Sequence, residues 1–361
     1  MAGSSFGDLY RITTWGESHG AGIGCVIDGA PAGFPLQAQD IQTYLDRRRP
    51  GQSAFSTPRK EADRVEILSG VFEGKTTGTP IALEIRNENQ RSGDYSALAD
   101  KYRPGHADYG YDMKYGFRDY RGGGRSSGRE TAGRVAGGAV AALILKSLGI
   151  TFCTCTIKIG DIEADPAHFD ASYIPQNDLC MPDREAYEKA AAYLQQCREE
   201  TDSAGGIAQC IISGVPAGLG DPVFEKLDAN LAKAVFSIGA VKGFEIGSGF
   251  SAAEKKGSEN NDPFGTDQAG QIRTLTNNCG GILGGISTGG DIIFRAAFKP
   301  TPSIAKEQQT VNSAGQHIRL SIHGRHDPVI VPRAVVVVET MAACVILDAY
   351  LKHRSDRLED L

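Results

Sequence analysis

An internal repeat is the feature of this 361-residue sequence that most constrains its fold. The segment Cys25-Val-Ile-Asp-Gly-Ala-Pro-Ala-Gly33 resembles the later segment Cys210-Ile-Ile-Ser-Gly-Val-Pro-Ala-Gly218. Each copy is typical of a strand that runs into a tight turn, and a helix is predicted after each turn, at 39–48 and at 224–236. Because both copies carry the same order of elements, the pattern indicates two halves of similar fold.

Two further matches support the same division. Thr76-Thr77-Gly78 precedes a predicted strand at 81–86, and Ser287-Thr288-Gly289 precedes a predicted strand at 292–299. The loops between the matched segments differ in length, but the segments keep the same order along the chain. A chance match is the alternative, because 45 glycines make short similarities common.

Long helices rich in small or branched apolar residues are predicted to close each half, at 129–148 and at 334–352. We therefore expect a single domain that spans the whole chain, with half-repeats at about 1–150 and 203–352. The segment 151–202 would connect the two halves.

Other segments lie outside the repeat pattern. The connecting segment contains an amphipathic helix that is predicted to begin at Asp183. The polar, glycine-containing segment 251–274 is predicted to be a long mobile loop, and the charged end at 355–361 is expected to fray.

Composition argues against several classes of protein. A net charge of −6 argues against a general nucleic-acid binder, which needs a basic surface to displace counterions. Residues 1–10 lack the pattern of a secretion signal, and the apolar stretch at 335–338 is too short to span a bilayer. The 8 cysteines lie mostly in apolar runs, and the spacing of Cys153 and Cys155 does not match a zinc site. We therefore expect a cytoplasmic protein with free thiols, no bound metal, and no nucleic-acid or membrane partner.

Two segments place a histidine where it can transfer a proton. His19 lies in a Trp-Gly-Glu-Ser-His-Gly segment directly after a predicted strand. A Pro-Gly turn separates Arg103 from His106 and could direct both side chains at one ligand. Histidine titrates near neutral pH, which suits acid-base chemistry. An ordinary turn residue without a ligand is the alternative for each.

A glycine-rich segment, Arg-Gly-Gly-Gly-Arg-Ser-Ser-Gly-Arg-Glu-Thr, predicts an anion site at the start of the helix at 129–148. The backbone N–H groups of a helix start, the hydroxyls of Ser126 and Ser127, and the guanidinium groups of Arg125 and Arg129 all suit an anion. Serines that only cap the helix are the alternative.

Three later segments also carry polar groups or glycines suited to a ligand. A Gly-Gly-Ile-Leu-Gly-Gly segment that includes Gly284 would let the backbone lie against a flat ligand. Lys299-Pro-Thr-Pro-Ser303 gathers an ammonium group and two hydroxyls, which suit a phosphate. Asp327, next to Arg325 and His326, is part of either a surface ion-pair cluster or a polar active centre. In combination, these segments predict small, highly anionic ligands and proton transfer among them.

Two segments only mimic other sites. Gly70-Val-Phe-Glu-Gly74-Lys75-Thr76 has three residues between its glycines, where a nucleotide P-loop has four, and a strand rather than a helix is predicted after it. Arg47-Arg48-Arg49 ends an acidic helix, where the positive charge also suits the helix dipole.

Together, these segments resemble the chorismate synthase family over nearly the whole chain. The resemblance implies an α+β fold, a β-α-β sandwich in which a helical layer lies between two antiparallel sheets with pseudo-duplicated halves, assembled as a homotetramer. The signatures that carry it, in order, are Gly16-Glu-Ser-His-Gly20, Arg103-Pro-Gly-His-Ala-Asp108, Gly124-Arg-Ser-Ser-Gly-Arg-Glu-Thr131, and Gly324-Arg-His-Asp-Pro328 with Pro332-Arg-Ala334.

The resemblance also implies a reaction and its catalytic residues. Phosphate would be removed from 5-enolpyruvylshikimate 3-phosphate by anti-1,4-elimination to give chorismate, with reduced FMN (FMNH2) and no net redox change. His19 would protonate the leaving phosphate, and His106 would protonate the reduced flavin. Asp327 would lie close to flavin N5, which would take the substrate proton.

Two sets of binding residues follow from the resemblance. The substrate would contact Arg48, Arg49, Arg103, Ser127, Arg129 and Arg333, whose cations suit phosphate and carboxylates. FMN would contact Arg125, Ser126, Ser127, Gly239, Ala240, Gly284, Lys299, Pro300, Thr301, Pro302, Ser303 and Arg325.

Departures from the family pattern bear on the source of reduced flavin. Ala54 stands where the family often has an arginine that helps bind a reduced nicotinamide, and Arg48 would be the remaining contact to NADP. We therefore expect NADPH to act only indirectly, as the source of reducing power, through an external flavin reductase. Val336 and Gly128 replace a common proline and alanine with small local effects.

Two alternatives to a chorismate synthase function are a non-catalytic flavin- or anion-binding protein on this scaffold, and a flavin reductase or oxidase.

Overall fold

The computed structural model describes residues 3–51, 55–56, 61–88, 98–322 and 327–360. Within these residues, two five-stranded antiparallel sheets enclose a layer of helices. This is the predicted α+β sandwich. Ala54, Arg325 and His326 lie outside the described residues.

In each sheet a strand such as Ile81–Arg86 or Ile292–Phe298 alternates buried and partly exposed residues, because one face of the sheet packs on the helices. The first sheet contains, in spatial order, β1 (Ser5–Phe6), β2 (Arg11–Gly16), β3 (Gly22–Asp28), β7 (Ile81–Arg86) and β4 (Val65–Ile67). The second contains β11 (Val241–Ile246), β16 (Ile292–Phe298), β10 (Gly206–Ser213), β8 (Thr151–Ile159) and β9 (Ile162–Glu163).

Short hairpins and helices complete the described chain. The hairpins are β5 (Val71–Phe72) with β6 (Lys75–Thr76), β12 (Phe264–Thr266) with β13 (Ile272–Thr274), β14 (Ile282–Leu283) with β15 (Ile286–Ser287), and β17 (Gln308–Val311) with β18 (His317–Leu320). The helices are α1 (Ala38–Arg48), α2 (Asp108–Tyr115), α3 (Thr131–Ser147), α4 (Arg184–Glu199), α5 (Leu227–Phe236), α6 (Gly257–Asn260) and α7 (Val331–His353).

The two sheets share one topology. The order β2-β3-β7-β4 in the first matches β8-β10-β16-β11 in the second, and α1 and α5 follow the corresponding strands β3 and β10. The strand β8 lies inside the segment 151–202 that the sequence analysis treated as a connection, so part of that segment belongs to the second sheet.

The matched turns are held by the same hydrogen bonds. The Thr76 hydroxyl donates to the Pro31 carbonyl at 2.6 Å and accepts from the Phe34 N–H at 2.9 Å. The Ser287 hydroxyl makes the two corresponding bonds in its own turn, also at 2.6 and 2.9 Å. Both hydroxyls are buried, so each is tied to its turn without competition from water.

Helices α3 and α7 pack against each other at the centre of the molecule. A Cβ atom built on Gly138 would lie 2.3 Å from the Thr340 carbonyl oxygen, so only glycine allows this approach. Helix α7 has 23 residues and is apolar enough to cross a membrane, but 83% of its most apolar window is buried inside the molecule. The apolar segment is therefore longer than the stretch at 335–338 on which the sequence argument rested, and that argument was wrong about its length. The burial of α7 is typical of a core helix.

Several local predictions can be compared with the structure. The helix predicted to begin at Asp183 is observed as α4, and Asp183 is its cap, accepting the N–H groups of Glu185 at 2.9 Å and Ala186 at 3.3 Å. All 8 cysteines are free, and the strand β7 follows the P-loop mimic as predicted. The segment 251–274 is not a structureless loop, because it contains α6 and the β12–β13 hairpin.

Candidate active site

A cavity of about 440 Å³ lies where the ends of four helices meet. The ends of α1 and α5 supply Arg48 and the segment 238–240, while the starts of α3 and α7 supply Thr131 and Arg333. Loops that include His106 and Lys299 complete the wall. Since α1 and α5 occupy corresponding places in the two halves, as do α3 and α7, the cavity lies on the boundary between the halves.

Cations outnumber carboxylates in the wall. Asp327 is the single carboxylate among the described residues that line the cavity. This excess of positive charge in a concave site favours small anionic ligands. The lining cations are Arg48, Arg103, Arg129, Lys299 and Arg333.

A buried carboxylate holds two of these arginines. Asp63 accepts from Arg48 Nη1 at 2.6 Å and from Arg129 Nη1, and its side chain is fully buried. Burial alone would raise the pKa of Asp63, but Arg48 and Arg129 outweigh that effect and hold it below its ordinary value. Burial lowers the pKa of Arg48 to about 10, with Arg333 and Arg129 adding to the effect and Asp63 opposing it. Asp63 and Arg48 are therefore both charged at neutral pH.

Asp108 holds Arg103 in the same way. Arg103 donates to both carboxylate oxygens, from Nε at 2.8 Å and from Nη2 at 2.7 Å, which is a bidentate pair. Arg118 lies 3.3 Å from the same carboxylate. Burial opposes ionisation of Asp108, but Arg103 keeps the pKa of that carboxyl below its ordinary value.

His106 lies in the cavity wall where residues from the two halves of the chain meet. Its Nδ1 is 3.0 Å from the Pro104 carbonyl oxygen, which can only accept, so Nδ1 carries the hydrogen. Its Nε2 is 2.9 Å from the Ser303 hydroxyl. Burial, followed by the positive charge of Arg103, lowers the pKa of His106 to about 4. In the ligand-free protein at neutral pH, Nε2 therefore accepts from Ser303.

Asp327 and Arg333 form a further ion pair in the cavity wall. Arg333 donates from Nη1 to Asp327 at 2.5 Å and from Nε to the Arg48 carbonyl at 3.1 Å. These bonds tie the start of α7 to the end of α1, so they fix the geometry across the boundary between the halves.

Two buried polar atoms in wall residues, Arg129 Nη2 and Thr301 Oγ1, have no hydrogen-bond partner among the described residues. Such atoms are rare in folded proteins and cost free energy unless a ligand or water satisfies them. Apolar side chains of Ile238, Ile330 and Val337 line the same cavity. The wall thus fits a ligand with both a flat apolar part and anionic groups.

Comparisons with known proteins agree along the whole chain. The family model described as chorismate synthase matches residues 10–351. A chorismate synthase of Lachnoclostridium phytofermentans is 64% identical over 99% of this chain and 98% of its own, and one of Agathobacter rectalis is 61% identical over 100% and 99%. The chain belongs to the chorismate synthase family.

A crystal structure of chorismate synthase shares the fold, with a TM-score of 0.76 and 33% identity over 98% of this chain and 95% of that one. The predicted function is confirmed: the protein is a lyase that makes chorismate in the biosynthesis of aromatic compounds by the shikimate pathway. The family acts on a small-molecule substrate and needs reduced flavin. The non-catalytic alternative is not supported.

The cavity brings together most of the residues that the sequence analysis linked to the chorismate synthase reaction. The predicted residues that line it are Arg48, Arg103, His106, Ser126, Ser127, Arg129, Gly239, Ala240, Lys299, Thr301, Pro302, Ser303, Asp327 and Arg333.

Other predicted residues do not line the cavity. His19 is buried behind Gly122, where an added Cβ would lie 2.6 Å from its Nε2. Arg125 points back to β2 and donates to the Thr14 hydroxyl at 2.7 Å. The remaining residues outside the lining are Arg49, which lies 3.5 Å from Asp46, Gly284, in the turn of the β14–β15 hairpin, and Pro300.

Sequence reasoning missed the residues behind the wall. Asp63 was assigned no role, because a lone aspartate between a helix and a strand carries no recognisable motif. Asp108 was noted only as part of a signature, and Arg118 was not noted at all. Arg103 and Asp108 are only five residues apart. The opposite charges on either side of the Pro-Gly turn were therefore the one sequence signal that could have predicted their ion pair.

Proposed function

We propose that this cavity is the active site, where reduced FMN and 5-enolpyruvylshikimate 3-phosphate bind together. The observation that carries the proposal is the meeting of five lining cations, an apolar wall and His106 in one cavity. The substrate bears a phosphate and two carboxylates, so it needs several cations at fixed positions.

The substrate would lie against the arginines on the first-half side of the wall. Arg129 has a buried Nη2 to which no described residue offers an acceptor, and Arg48 and Arg103 lie in the same wall. Arg333 and the Ser127 hydroxyl would add contacts to the same anionic groups. Carboxylates behind these arginines hold the guanidinium groups in place before the ligand arrives, which lowers the entropy cost of binding.

The flavin would lie against the second-half side. Lys299 and Ser303 would hold its phosphate, and Thr301 would gain a partner for its buried hydroxyl. Ala240 has a positive φ of 72°, an unusual conformation for alanine that brings this backbone to the cavity. When bound, reduced FMN supplies the electron-rich ring that the elimination requires. Ser126, Gly239 and Pro302 line the same wall, whereas contacts from Arg125, Gly284, Pro300 and Arg325 remain predictions from the resemblance.

Two histidines would move protons at different atoms. His106 would take up a proton at Nε2 once anions bind, since negative charge raises the pKa that burial and Arg103 hold down. It would then act as a donor toward the flavin side of the cavity. The family resemblance makes His19 the donor to the leaving phosphate, although this residue lies behind Gly122 and outside the residues that line the cavity. Asp327, fixed by Arg333, would steer the proton that leaves the substrate.

We also propose how the enzyme is supplied and assembled. NADPH would act only indirectly, through an external flavin reductase, because Ala54 stands where the family often has an arginine for the nicotinamide. The free cysteines support a cytoplasmic location, where thiols stay reduced. A homotetramer and a single-domain chain built from two half-repeats complete the proposal.

A turnover assay tests the proposed reaction. With reduced FMN and no oxygen, the protein should release phosphate and chorismate in equal amounts without consuming flavin. Oxidation of one flavin in each turnover would contradict the elimination. Activity with NADPH and oxidised FMN, but no added reductase, would contradict the external supply of electrons.

A further inference from the structure

Asp63 is a buried carboxylate behind the proposed substrate site. It is 2% exposed and is absent from the residues that line the cavity, so it makes no direct ligand contact in this arrangement. We propose that Asp63 is a positioning residue, which sets Arg48 and Arg129 in the geometry that receives the anionic groups of the substrate. This inference rests on the proposed substrate site.

The hydrogen bonds of Asp63 leave one arginine edge for a ligand. One carboxylate oxygen accepts from Arg48 and the other from Arg129. Arg129 also donates from Nε to the Asn87 side chain at 3.0 Å, and its buried Nη2 has no partner in the part of the chain that the structure describes. Two anchors therefore fix the plane of the Arg129 guanidinium, while Nη2 keeps its donor capacity.

The backbone holds the carboxylate itself in place. Asp63 has a positive φ of 47°, a conformation that side chains of L-residues disfavour and that aspartate tolerates better than most. The Gln42 side chain bridges this turn, donating to the Asp63 carbonyl at 3.3 Å and accepting from the Val65 N–H at 3.0 Å. A strained residue persists where the surroundings hold it, and here they hold it between two arginines.

A positioning role and a purely electrostatic role predict opposite effects on anion binding when the Asp63 carboxylate is removed. As a negative charge alone, Asp63 opposes anion binding, and its removal would tighten the binding of any anion. As an anchor, it holds Arg48 and Arg129 close together in a fixed arrangement despite their mutual repulsion. Its removal would let both guanidinium groups move and would weaken the binding of an anion of defined shape.

Calorimetric titration of 5-enolpyruvylshikimate 3-phosphate into the Asp63→Asn protein distinguishes these cases. We expect substrate affinity to fall about tenfold to a hundredfold, the effect of losing one charge-assisted hydrogen bond from a displaced guanidinium group. Affinity that is unchanged or higher would overturn the proposal. Binding is measured rather than turnover, so the result does not depend on the flavin.

A double-mutant cycle separates positioning from general destabilisation. If Asp63 acts through Arg129, Asp63→Asn should cost much less affinity in an Arg129→Ala background than in the wild-type protein. Equal losses in both backgrounds would overturn the proposal. Asp348→Asn is the matched control, because Asp348 is a buried carboxylate that accepts the N–H groups of residues 8–10, away from the cavity. It should lower stability but leave substrate affinity unchanged.

A second variant keeps the test decisive if Asp63→Asn does not fold. Gln42→Ala retains the carboxylate but removes the side-chain bridge around it, and Gln42 is only partly buried. We expect substrate affinity to fall about twofold to tenfold, the range for loss of one hydrogen bond. No fall in affinity would count against positioning.

The single variant Arg129→Ala separates this inference from the proposed site. If its substrate affinity is normal, the substrate site itself is wrong. If Arg129→Ala weakens binding but both Asp63→Asn and Gln42→Ala leave it unchanged, only the role of Asp63 is wrong.

Discussion

At the end of α1, the first half of the molecule brings Arg48 to the cavity, whereas at the end of α5 the second half brings Ile238, Gly239 and Ala240. The two helices occupy corresponding places in sheets of the same topology. The turns before them are held by hydrogen bonds of equal length. A shared scaffold therefore fixes where the cavity forms, while the residues at the helix ends decide what it binds.

The two halves also differ in how their charges are held. In the first half, Asp63 and Asp108 stand behind the arginines of the wall and are themselves buried. In the second half, Asp327 lies in the wall beside Arg333. We infer that the first half presents fixed cations to the substrate, whereas the second half provides the flat apolar surface and the Lys299 ammonium group.

The two histidines should give the largest effect and compare the two halves directly. His106 connects the halves through its hydrogen bond to Ser303, whereas His19 lies within the first half. Alanine at either position should slow turnover by about a hundredfold to ten-thousandfold, the range for loss of a general acid. The two variants should differ in the spectrum of bound reduced flavin, which should be more anionic only without His106.

Turnover per folded molecule and the reduced-flavin spectrum check this prediction. Near-normal turnover in both variants would remove the acid-base assignment. Identical spectral changes would remove the division of roles between the histidines.

Lys299 tests whether the second half holds the flavin. Lys299→Ala should weaken FMN binding by about one to two orders of magnitude, because a charge-assisted hydrogen bond contributes about 1.5–3 kcal/mol. Substrate affinity measured without flavin should change far less. Lys242→Ala is the control, because this neighbouring lysine does not line the cavity. If FMN affinity were unchanged in Lys299→Ala, the phosphate would have to lie elsewhere.

Thr76 and Ser287 test whether the two halves are equivalent in stability as well as in shape. Thr76→Val and Ser287→Ala each remove a buried hydroxyl that makes two hydrogen bonds. Each should lower the free energy of unfolding by about 1–3 kcal/mol, and by similar amounts, as urea denaturation can measure. A large loss in one variant alone would show that the halves carry stability unequally.

The last prediction concerns pH and the residue at the boundary between the halves. His106 has a pKa of about 4 in the folded protein, because burial and the charges of Arg103 and Lys299 outweigh the Pro104 carbonyl and Asp108, against an ordinary value of 6.5. Between these two values the unfolded chain binds a proton that the folded ligand-free protein does not. The free energy of unfolding should therefore rise with pH across this window.

His106→Asn provides the control for this prediction, since asparagine does not titrate. Urea denaturation at the two ends of the window should give a smaller pH dependence in the variant than in the wild-type protein. An identical dependence in both would show that His106 does not titrate in this range.

Sequence reasoning predicted the main elements closely because their periodicity is local. The helix predicted at 39–48 is observed as Ala38–Arg48, and the strand predicted at 81–86 is observed as Ile81–Arg86. The helix predicted at 129–148 begins two residues later, because short 3₁₀ turns precede α3. The segment 251–274 was mispredicted, since the β12–β13 hairpin has too little apolar periodicity to be recognised.

The site was predicted in part, and the limit was the direction of side chains. Sequence motifs located Arg103, His106 and Lys299, all of which line the cavity. They could not show that Arg125 points back to β2, because its partners are more than 100 residues away in the chain.

By itself, the sequence determined the family, the repeated order of elements, and the positions of the glycine-rich and arginine-rich segments, because these are properties of neighbouring residues. The tertiary structure alone decided that β8 joins the second sheet and that Asp63 stands between Arg48 and Arg129. Both depend on contacts between residues distant in the chain. Packing and burial set such contacts, and they also determine the pKa of His106.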